Sequence, residues 1–297
     1  MINTDIFLRR GSEHDICEDY ILNGKNPFPY VIVSDGCSSA KNTDIGARVL
    51  ATCAKNILLE YDFVKFFLEN TNGGDRYTSI YRSLGLTIIM NALTFIKTLK
   101  LDEQCLSATL IISFCLNNYV YTYVYGDGSV IYTDNFGTVV RKVTFPSNAP
   151  FYLIYMKDVN KEKEYIRKYG DEKKIIENIR INPNMVSKQY LKDLDVPTSF
   201  THENKAGSPA VFRDLMYSDV TGSGILLVTS DGIETFVRTL TMEKYDHDDI
   251  INNITAFKNL GGVFVKRRLK KFLSEMARKK ISHLDDLSIG GICHIGE

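Results

Sequence analysis

Two stretches of this sequence share one form, in which a run of apolar residues ends in Ser-Asp-Gly. The first is VIVSDG at residues 31–36, and the second is LLVTSDG at residues 226–232. A short apolar run is typical of a buried strand, whereas Asp-Gly is typical of a turn at the end of one. The repeated form therefore restricts the chain to folds in which buried strands present carboxylates at the edge of a sheet.

Other acidic residues also stand at the ends of apolar, strand-like segments: Glu18 and Asp19 in ICEDYIL, Asp127 in YGDGS, and Asp285 and Asp286 in HLDDLSIGGI. If these ends converge, two carboxylates about 4 Å apart repel each other by roughly 4 kcal/mol at an effective dielectric near 20. Several such pairs would rival the whole stability of a domain, which is about 5–15 kcal/mol. Divalent cations relieve this repulsion, and a set of aspartates with few histidines favours Mg²⁺ or Mn²⁺ over zinc. A single Asp-Gly is more typical of a turn, so the prediction depends on the combination.

Strand-like and helical segments come in blocks: strands within 1–40 and 107–157, helices at 43–70 and 76–99, a strand at 224–230, a helix around 256–280 and a strand at 286–294. Strands in consecutive runs, with helices grouped apart from them, predict α+β layers. The charge-rich stretch 157–181 is predicted to be a solvated helix or a loop insertion. Since no repeat or low-complexity linker divides the chain, we expect a single domain over residues 1–297.

The charge and cysteine content indicate the environment of the protein. Lys and Arg together number 36, as do Asp and Glu, so no net field favours nucleic acid or an acidic membrane surface. The basic run KRRLKK at 266–271 is therefore interpreted as a solvated helix face. Six cysteines without a CxxC pair favour free thiols in a reducing compartment, and no apolar run approaches eighteen residues. We expect a cytoplasmic protein that binds neither nucleic acid nor membrane.

The motifs EDY, VIVSDG, SATLIISF, VYGDGSV, LLVTSDGIE and DDLSIGGI occur in one order along the chain. In that order the chain resembles the metal-dependent Ser/Thr protein phosphatases of type 2C, in their bacterial single-domain form. The resemblance implies a four-layer α-β-β-α sandwich, with a central antiparallel β-sandwich flanked by helix pairs. It also implies that a water bridging two Mg²⁺ or Mn²⁺ ions hydrolyses phosphoserine and phosphothreonine in proteins. A phosphorylated protein and a cognate Ser/Thr kinase are the implied partners, and we expect a monomer.

The same resemblance assigns roles to the acidic residues. Three aspartates, Asp35, Asp231 and Asp285, take the catalytic role, and Asp35 bridges two ions. The implied metal set is completed by Gly36 through its carbonyl, by Glu18 and Asp19 through bound waters, and by Asp127, which joins Asp231 in binding a third, weaker ion.

Two positions depart from the family pattern. In many relatives an Arg four residues before the Glu of the E-D pair binds the substrate phosphate. In this chain the residue at that position is His14. His14, Arg9 and Arg10 are therefore the candidates for binding the phosphate. Some relatives have a His after the D-G, where this chain has Cys37; a small packed side chain accounts for it more simply than a metal-poised thiol. Substrate selection is expected from a variable flap region at about 141–222.

Two other functions stay open from the sequence. The missing Arg raises the alternative of a catalytically weak or inactive pseudophosphatase that binds a phosphoprotein or a partner kinase. The retention of Asp35, Asp231 and Asp285 argues against it, since a binding module has no need of a complete metal site. A phosphatase for a small metabolite is the second alternative, because the metal chemistry recognises the phosphate while loops choose the rest of the substrate.

Overall fold

The computed structural model describes residues 1–60, 63, 67, 75–181, 198–199, 204–218 and 222–295. Its strands, in chain order, are β1 (Ile2–Arg9), β2 (Tyr20–Gly24), β3 (Tyr30–Ser34), β4 (Leu110–Leu116), β5 (Tyr119–Tyr125), β6 (Gly128–Thr133), β7 (Gly137–Thr144), β8 (Lys174–Ile181), β9 (Thr198–Ser199), β10 (Val211–Leu215), β11 (Tyr217–Ser218), β12 (Gly222–Ser223), β13 (Ile225–Thr229), β14 (Phe236–Arg238), β15 (Ile281–His283) and β16 (Leu287–His294). Its α-helices are α1 (Thr43–Leu59), α2 (Asp75–Thr98), α3 (Leu153–Met156), α4 (Val159–Tyr169), α5 (His247–Thr255) and α6 (Phe264–Arg278).

Most strands belong to two antiparallel sheets of six strands each. The first sheet has the order β1-β16-β13-β6-β7-β8, and the second has the order β2-β3-β4-β5-β10-β9. Helices α1 and α2 pack beside the second sheet, whereas α6 packs on β1 and β16 of the first sheet, with α5 beside it. The layers are therefore helices, sheet, sheet, helices, and the predicted α+β sandwich with four layers is confirmed.

Two groups of buried apolar side chains hold these layers together. One group joins the two sheets to α1 and α2, and includes Leu50, Ile88 and Ile112. The other lies between the first sheet and α5 and α6, and includes Ile254 and Phe272. Strands β3 and β16 are buried on both faces, which explains why neither alternates between apolar and polar residues as a half-exposed strand would.

The two sheets approach each other closely where β16 faces β3. A Cβ atom on Gly290 of β16 would lie 2.0 Å from Cγ1 of Val31 in β3. On the other face of the same strand, a Cβ on Gly291 would lie 2.7 Å from Cγ2 of Val265 in α6. Real Cβ contacts are not this short, so glycine at both positions lets the sheets and α6 pack at the observed spacing.

Several sequence predictions differ from the structure in extent. Helix α1 ends at Leu59, whereas most of the remainder of the predicted 43–70 lies outside the described residues, and α6 covers a shorter span than the predicted 256–280. The stretch 157–181 is neither a solvated helix alone nor a loop insertion, because it contains α4 and then β8, the edge strand of the first sheet. Within the predicted flap region 141–222, residues 182–197, 200–203 and 219–221 lie outside the described residues.

Two segments with the composition of membrane-binding or nucleic-acid-binding sequences belong to helices of the folded layers. The segment Ser79–Thr98 of α2 is long and apolar enough to cross a membrane, but Leu84, Ile88 and Ile96 lie in the core, which accounts for its composition. The basic run of α6 alternates buried apolar positions such as Leu269 with exposed Lys and Arg, as in an amphipathic surface helix.

Candidate metal centre

Carboxylates from both sheets meet at one end of the sandwich. Asp35 follows β3 of the second sheet, and Asp231 follows β13 of the first. The Asp35 carboxyl lies within hydrogen-bonding reach of those of Asp19 and Asp231. The charges of Asp127 and Asp285 also act on it. The structure thus brings together the five aspartates that the sequence placed at separate strand ends.

The backbone of the first Asp-Gly is fixed by the neighbouring strand segment. The Asp35 carbonyl accepts a hydrogen bond from the Thr109 N–H at 2.8 Å, and the Asp35 N–H donates to Thr109 Oγ1 at 3.3 Å. A Cβ on Gly36 would lie 2.9 Å from the carbonyl oxygens of both Glu18 and Thr43. Only glycine allows this approach, so the residue after Asp35 holds Glu18 close to the aspartate.

Glu18 and Asp19 are held by hydroxyl groups. Glu18 Oε1 accepts a hydrogen bond from Thr43 Oγ1 at 2.9 Å. Asp19 is buried, and its Oδ2 accepts from Ser230 Oγ at 2.9 Å and from Ser288 Oγ at 2.5 Å. Its other oxygen, Oδ1, is shielded from solvent and has no hydrogen-bond partner in the described part of the chain. An unpaired buried carboxylate oxygen is costly unless a cation or a proton meets it.

A second group is formed by His14, Asp285 and Asp286. Asp286 is buried, and its two oxygens accept from the backbone N–H groups of Gly11 at 2.8 Å and of Glu18 at 2.6 Å. His14 lies between the two aspartates, with Nε2 3.2 Å from Asp285 Oδ1 and Nδ1 3.2 Å from Asp286 Oδ2. Asp286 therefore organises the loop that carries both His14 and Glu18.

The carboxylates raise one another's pKa values in the absence of a cation. Burial, followed by the charges of Asp19 and Asp231, raises the pKa of Asp35 well above its ordinary value. Burial is also the largest cause for Asp19 and Asp127, whose pKa values rise to about 8. Burial and the charge of Asp285 raise the pKa of Asp231. Protons would thus occupy a site at neutral pH whose hard oxygen donors suit a divalent cation such as Mg²⁺ or Mn²⁺.

The pKa values of His14 and Glu18 are set by opposing effects of burial, hydrogen bonds and nearby charges. Burial lowers the pKa of His14, but the hydrogen bond with Asp286 and the charges of Asp285, Asp286 and Glu18 outweigh it, so the pKa lies above its ordinary value. Burial raises the pKa of Glu18, although the hydrogen bond from Thr43 opposes the shift. These directions follow from an excess of negative charge around one imidazole.

A lysine stands beside the Asp127 and Asp231 part of the site. Lys142 of β7 pairs with Glu234, which ends the 3₁₀ helix Asp231–Glu234. Its charge lowers the pKa values of Asp127 and Asp231, against the larger effect of burial. Lys142 therefore supplies part of the positive charge that this side of the site needs.

The remaining predicted residues lie around this cluster. Arg10 is exposed, and its guanidinium donates to the Asp15 carbonyl at 2.6 Å, so it supports the loop that carries His14. Arg9 is exposed at the end of β1. Cys37 is half-buried, with its sulfur 3.1 Å from Ser39 Oγ and the Tyr152 hydroxyl within hydrogen-bonding reach.

Sequence reasoning missed several residues that position the site. Ser230 and Ser288 fix Asp19, although each is a neighbour or near neighbour of an aspartate in the quoted motifs. Lys142 gave no motif, because its place beside the site depends on the pairing of β7 with β6. Asp286 stood out only as an acidic residue at a strand end, because its two backbone hydrogen bonds depend on the course of a loop.

Comparisons with known proteins agree with this architecture. Residues 10–274 match the family described as Protein phosphatase 2C. Similar solved structures include the serine/threonine phosphatase of S. agalactiae (14% identity over 98% of this chain and 99% of that chain, TM-score 0.54). They also include Stp1 of Staphylococcus aureus (14%, 100% and 96%, TM-score 0.52) and PstP/Ppp of Mycobacterium tuberculosis (9%, 100% and 99%, TM-score 0.52).

At these identities the structural likeness shows the fold alone. A search of curated proteins finds no match. The family match, however, covers most of the chain, from residue 10 to residue 274. The chain therefore belongs to the protein phosphatase 2C family and is a metal-dependent Ser/Thr phosphoprotein phosphatase.

Proposed function

We propose that this protein hydrolyses phosphoserine and phosphothreonine in protein substrates with two divalent cations, Mg²⁺ or Mn²⁺, and with a third at a weaker position. The observation that supports the proposal most is the convergence of aspartates from both sheets, one of which, Asp19, has a buried oxygen without a hydrogen-bond partner among the described residues. A cluster of this kind is expensive to maintain without a cation. A phosphoprotein and a cognate Ser/Thr kinase are the proposed partners, in the cytoplasm.

The proposed ligands are those that the resemblance to the family implies, and the structure brings their side chains close together. Asp35 would bridge two cations, with the Gly36 carbonyl on one, and Asp231 and Asp285 on the other. Glu18 and Asp19 would act through bound waters, and Asp127 would join Asp231 at the third position. When bound, such cations lower the pKa of a coordinated water and neutralise charge on phosphoryl oxygens.

Hydroxyl groups of this chain hold the proposed ligands in fixed orientations. Ser230 and Ser288 hold one oxygen of Asp19 and leave the other free of their hydroxyl groups. Thr43 holds one oxygen of Glu18, which leaves Oε2 on the side of His14. Thr109 fixes the backbone of Asp35. Carboxylates held in this way keep their geometry as charge develops on the substrate, so that less reorganisation is needed in the transition state.

The first test removes single carboxylates. Asp35→Asn and Asp231→Asn keep side-chain volume but remove a negative charge, so Mn²⁺-dependent release of phosphate from a phosphopeptide should fall by about 10²–10³-fold, which corresponds to several kcal/mol of transition-state stabilisation. Asp102→Asn is a matched control, because Asp102 caps the 3₁₀ helix Glu103–Leu106 and asparagine caps equally well. Full activity in both site variants, with the fold intact, would exclude the proposal.

The same assay separates the alternatives. Tight Mn²⁺ binding without turnover of any phosphopeptide would indicate a pseudophosphatase, and turnover removes that alternative. Faster turnover of small phosphorylated metabolites than of phosphopeptides would indicate a metabolite phosphatase. In the described part of the predicted flap region, Phe151, Tyr155 and Tyr165 contact one another. Phe151 and Tyr165 are buried in the core, so substrate selection by this region stays a prediction.

A further inference from the structure

We infer that Nε2 of His14 is itself a ligand of a cation in this site, beside Asp285, so that the site combines an imidazole nitrogen with carboxylate oxygens. The inference rests on the proposed function only in placing a cation at Asp285. It assigns to His14 a role different from that of binding the substrate phosphate, which the sequence suggested.

The distances suit a shared cation. His14 Nε2 lies 3.2 Å from Asp285 Oδ1. Metal bonds to nitrogen and oxygen ligands are about 2.0–2.2 Å long, which places neighbouring ligand atoms roughly 3.0–3.4 Å apart at angles between square and tetrahedral. Ligand atoms of His14, Asp285 and Asp286 all lie within 4.8 Å of one another. The imidazole and the Asp285 carboxylate are thus already separated as two ligands of one ion would be.

Asp286 orients the imidazole for this role. Its carboxylate is anchored by the N–H groups of Gly11 and Glu18, and its Oδ2 lies 3.2 Å from His14 Nδ1. That nitrogen is shielded from solvent and makes no hydrogen bond of good geometry among the described residues; the nearest carboxylate oxygens are Asp286 Oδ2 and, at 3.9 Å, Glu18 Oε2. Metal-binding histidines commonly have a carboxylate beside the second ring nitrogen. A cation at Asp285 would replace a proton on Nε2, and a proton kept on Nδ1 would lie near Asp286.

The surroundings of His14 fit a phosphate ligand less well. Both ring nitrogens face carboxylates, and the side chain is only 18% exposed, against 36% for Asp285. An arginine would extend past this position with five donors in a planar fork. At the same end of the sandwich, buried Asp19, with 4% of its surface exposed, has an oxygen, Oδ1, for which the described residues supply no hydrogen-bond donor other than a protonated Asp35.

A nitrogen ligand has a chemical consequence. Carboxylates alone suit Mg²⁺ and Mn²⁺, whereas imidazole is a poor ligand for Mg²⁺ and a good one for first-row transition metals. The site should therefore prefer Mn²⁺ to Mg²⁺ more strongly than a site of oxygen ligands does. His14→Gln should reduce this preference by about tenfold, because glutamine offers no comparable nitrogen.

The experiment is pulsed electron paramagnetic resonance of the full chain loaded with Mn²⁺, together with calorimetric titration of Mn²⁺ and Mg²⁺. We expect a ¹⁴N coupling of a directly bound imidazole in the unaltered protein and in the control variant His294→Gln. His294 stacks on Tyr217 at the far end of β16, the strand that begins just after Asp286. The coupling should be absent in His14→Gln.

The outcomes separate the inference from the proposed function. Bound Mn²⁺ without nitrogen coupling, or coupling that persists in His14→Gln, would overturn the inference and leave the proposed function standing. Failure of the unaltered protein to bind Mn²⁺ would overturn both. Circular dichroism of His14→Gln checks folding, and His14→Asn, which is shorter, serves as a second variant if the first is unfolded.

Discussion

At the scale of single residues, the structure contains a buried lysine outside the metal centre. Lys173 is 2% exposed, and its ammonium group donates to the carbonyl of Ser208. Burial lowers its pKa from 10.5 to about 7. The folded protein thus binds this proton less tightly than the unfolded chain does, and Lys173 opposes folding at neutral pH.

Lys173→Met should therefore stabilise the protein, by an amount that depends on pH. Between pH 7 and 10.5 the unfolded chain binds more protons at this residue, so the stability of the unaltered protein rises with pH in that window. The gain from Lys173→Met should be greatest at pH 7, at most on the order of 5 kcal/mol, and should shrink towards pH 10. Urea unfolding at several pH values measures it. The exposed neighbour gives a control, Lys174→Met, and an equal gain at all pH values would contradict the prediction.

The site residues most readily predicted from the sequence are those that directly follow a buried strand. Asp35 and Asp231 each follow an apolar run, and the end of a buried strand has few alternatives in space. His14 has no such constraint, because it lies in a loop whose course is set by Asp286, more than 270 positions away along the chain. Its contacts with two carboxylates therefore had no signal in local sequence.

At the scale of elements, one buried ion pair connects the two sheets. Arg141 of β7 and Asp214 of β10 are both fully buried, with Nη1 and Oδ2 2.9 Å apart. Arg141 Nε also contacts Glu177 of the edge strand β8 at 3.0 Å. Burial of a charge is tolerated when a partner compensates it, and removal of one partner leaves the other uncompensated.

Asp214→Ala should destabilise the protein by about 3 kcal/mol, because it leaves the buried Arg141 guanidinium with only the partly exposed Glu177 as a partner. The double variant Arg141→Met with Asp214→Leu should lose much less, since no charge remains buried. Chemical denaturation measures both. Lys161→Met removes a more exposed pair with Glu103 and should cost less than about 1 kcal/mol. A double variant as unstable as Asp214→Ala would show that packing, rather than charge, explains the loss.

Element boundaries were harder to predict than element types. The strand β8 was missed because its charged residues, such as Glu177, conceal the apolar pattern of an edge strand, and one of them contacts the buried Arg141 only in the folded sheet. The short helix α5 has only nine residues and was not predicted. In both cases tertiary contacts outweigh local preference.

At the scale of the whole molecule, the candidate ligands come from both sheets, and a bound cation would link them. Asp35 follows β3 of the second sheet, whereas Asp231 follows β13 and Asp285 precedes β16 of the first. A cation that binds only the folded protein stabilises it by about 2.7 kcal/mol at one hundred times its dissociation constant. It also removes the repulsion between the carboxylates.

Saturating Mn²⁺ should therefore raise the thermal unfolding midpoint by several degrees, and a chelator should reverse the change. Asp35→Asn should show a smaller rise than the unaltered protein, because the bridging charge is lost. Differential scanning calorimetry at constant ionic strength measures the effect, with NaCl as the control for screening. An unchanged midpoint while calorimetric titration shows Mn²⁺ bound would contradict the linkage.

The family and the layered fold could be predicted from the sequence, because the order of the six motifs is preserved along the chain. The close approach of the two sheets could not be predicted from the sequence, because it depends on glycines at the positions where the strands of the two sheets cross. The sequence marked the Asp-Gly pairs by their motif, whereas Gly290 and Gly291 in SIGGI looked like ordinary interruptions of a strand.

The close contact between Gly290 and Val31 has a consequence for the metal centre. Val31 precedes Asp35 by four residues in the second sheet, and Gly290 follows Asp286 by four residues in the first. The same two strands that touch in the core thus carry carboxylates to the same end. The distance between those carboxylates therefore depends on how closely β3 and β16 pack in the core. A methyl group at Gly290 would push the two strands apart and so move the carboxylates apart as well. We therefore expect core side chains remote from the carboxylates to influence which size of ion the site accepts.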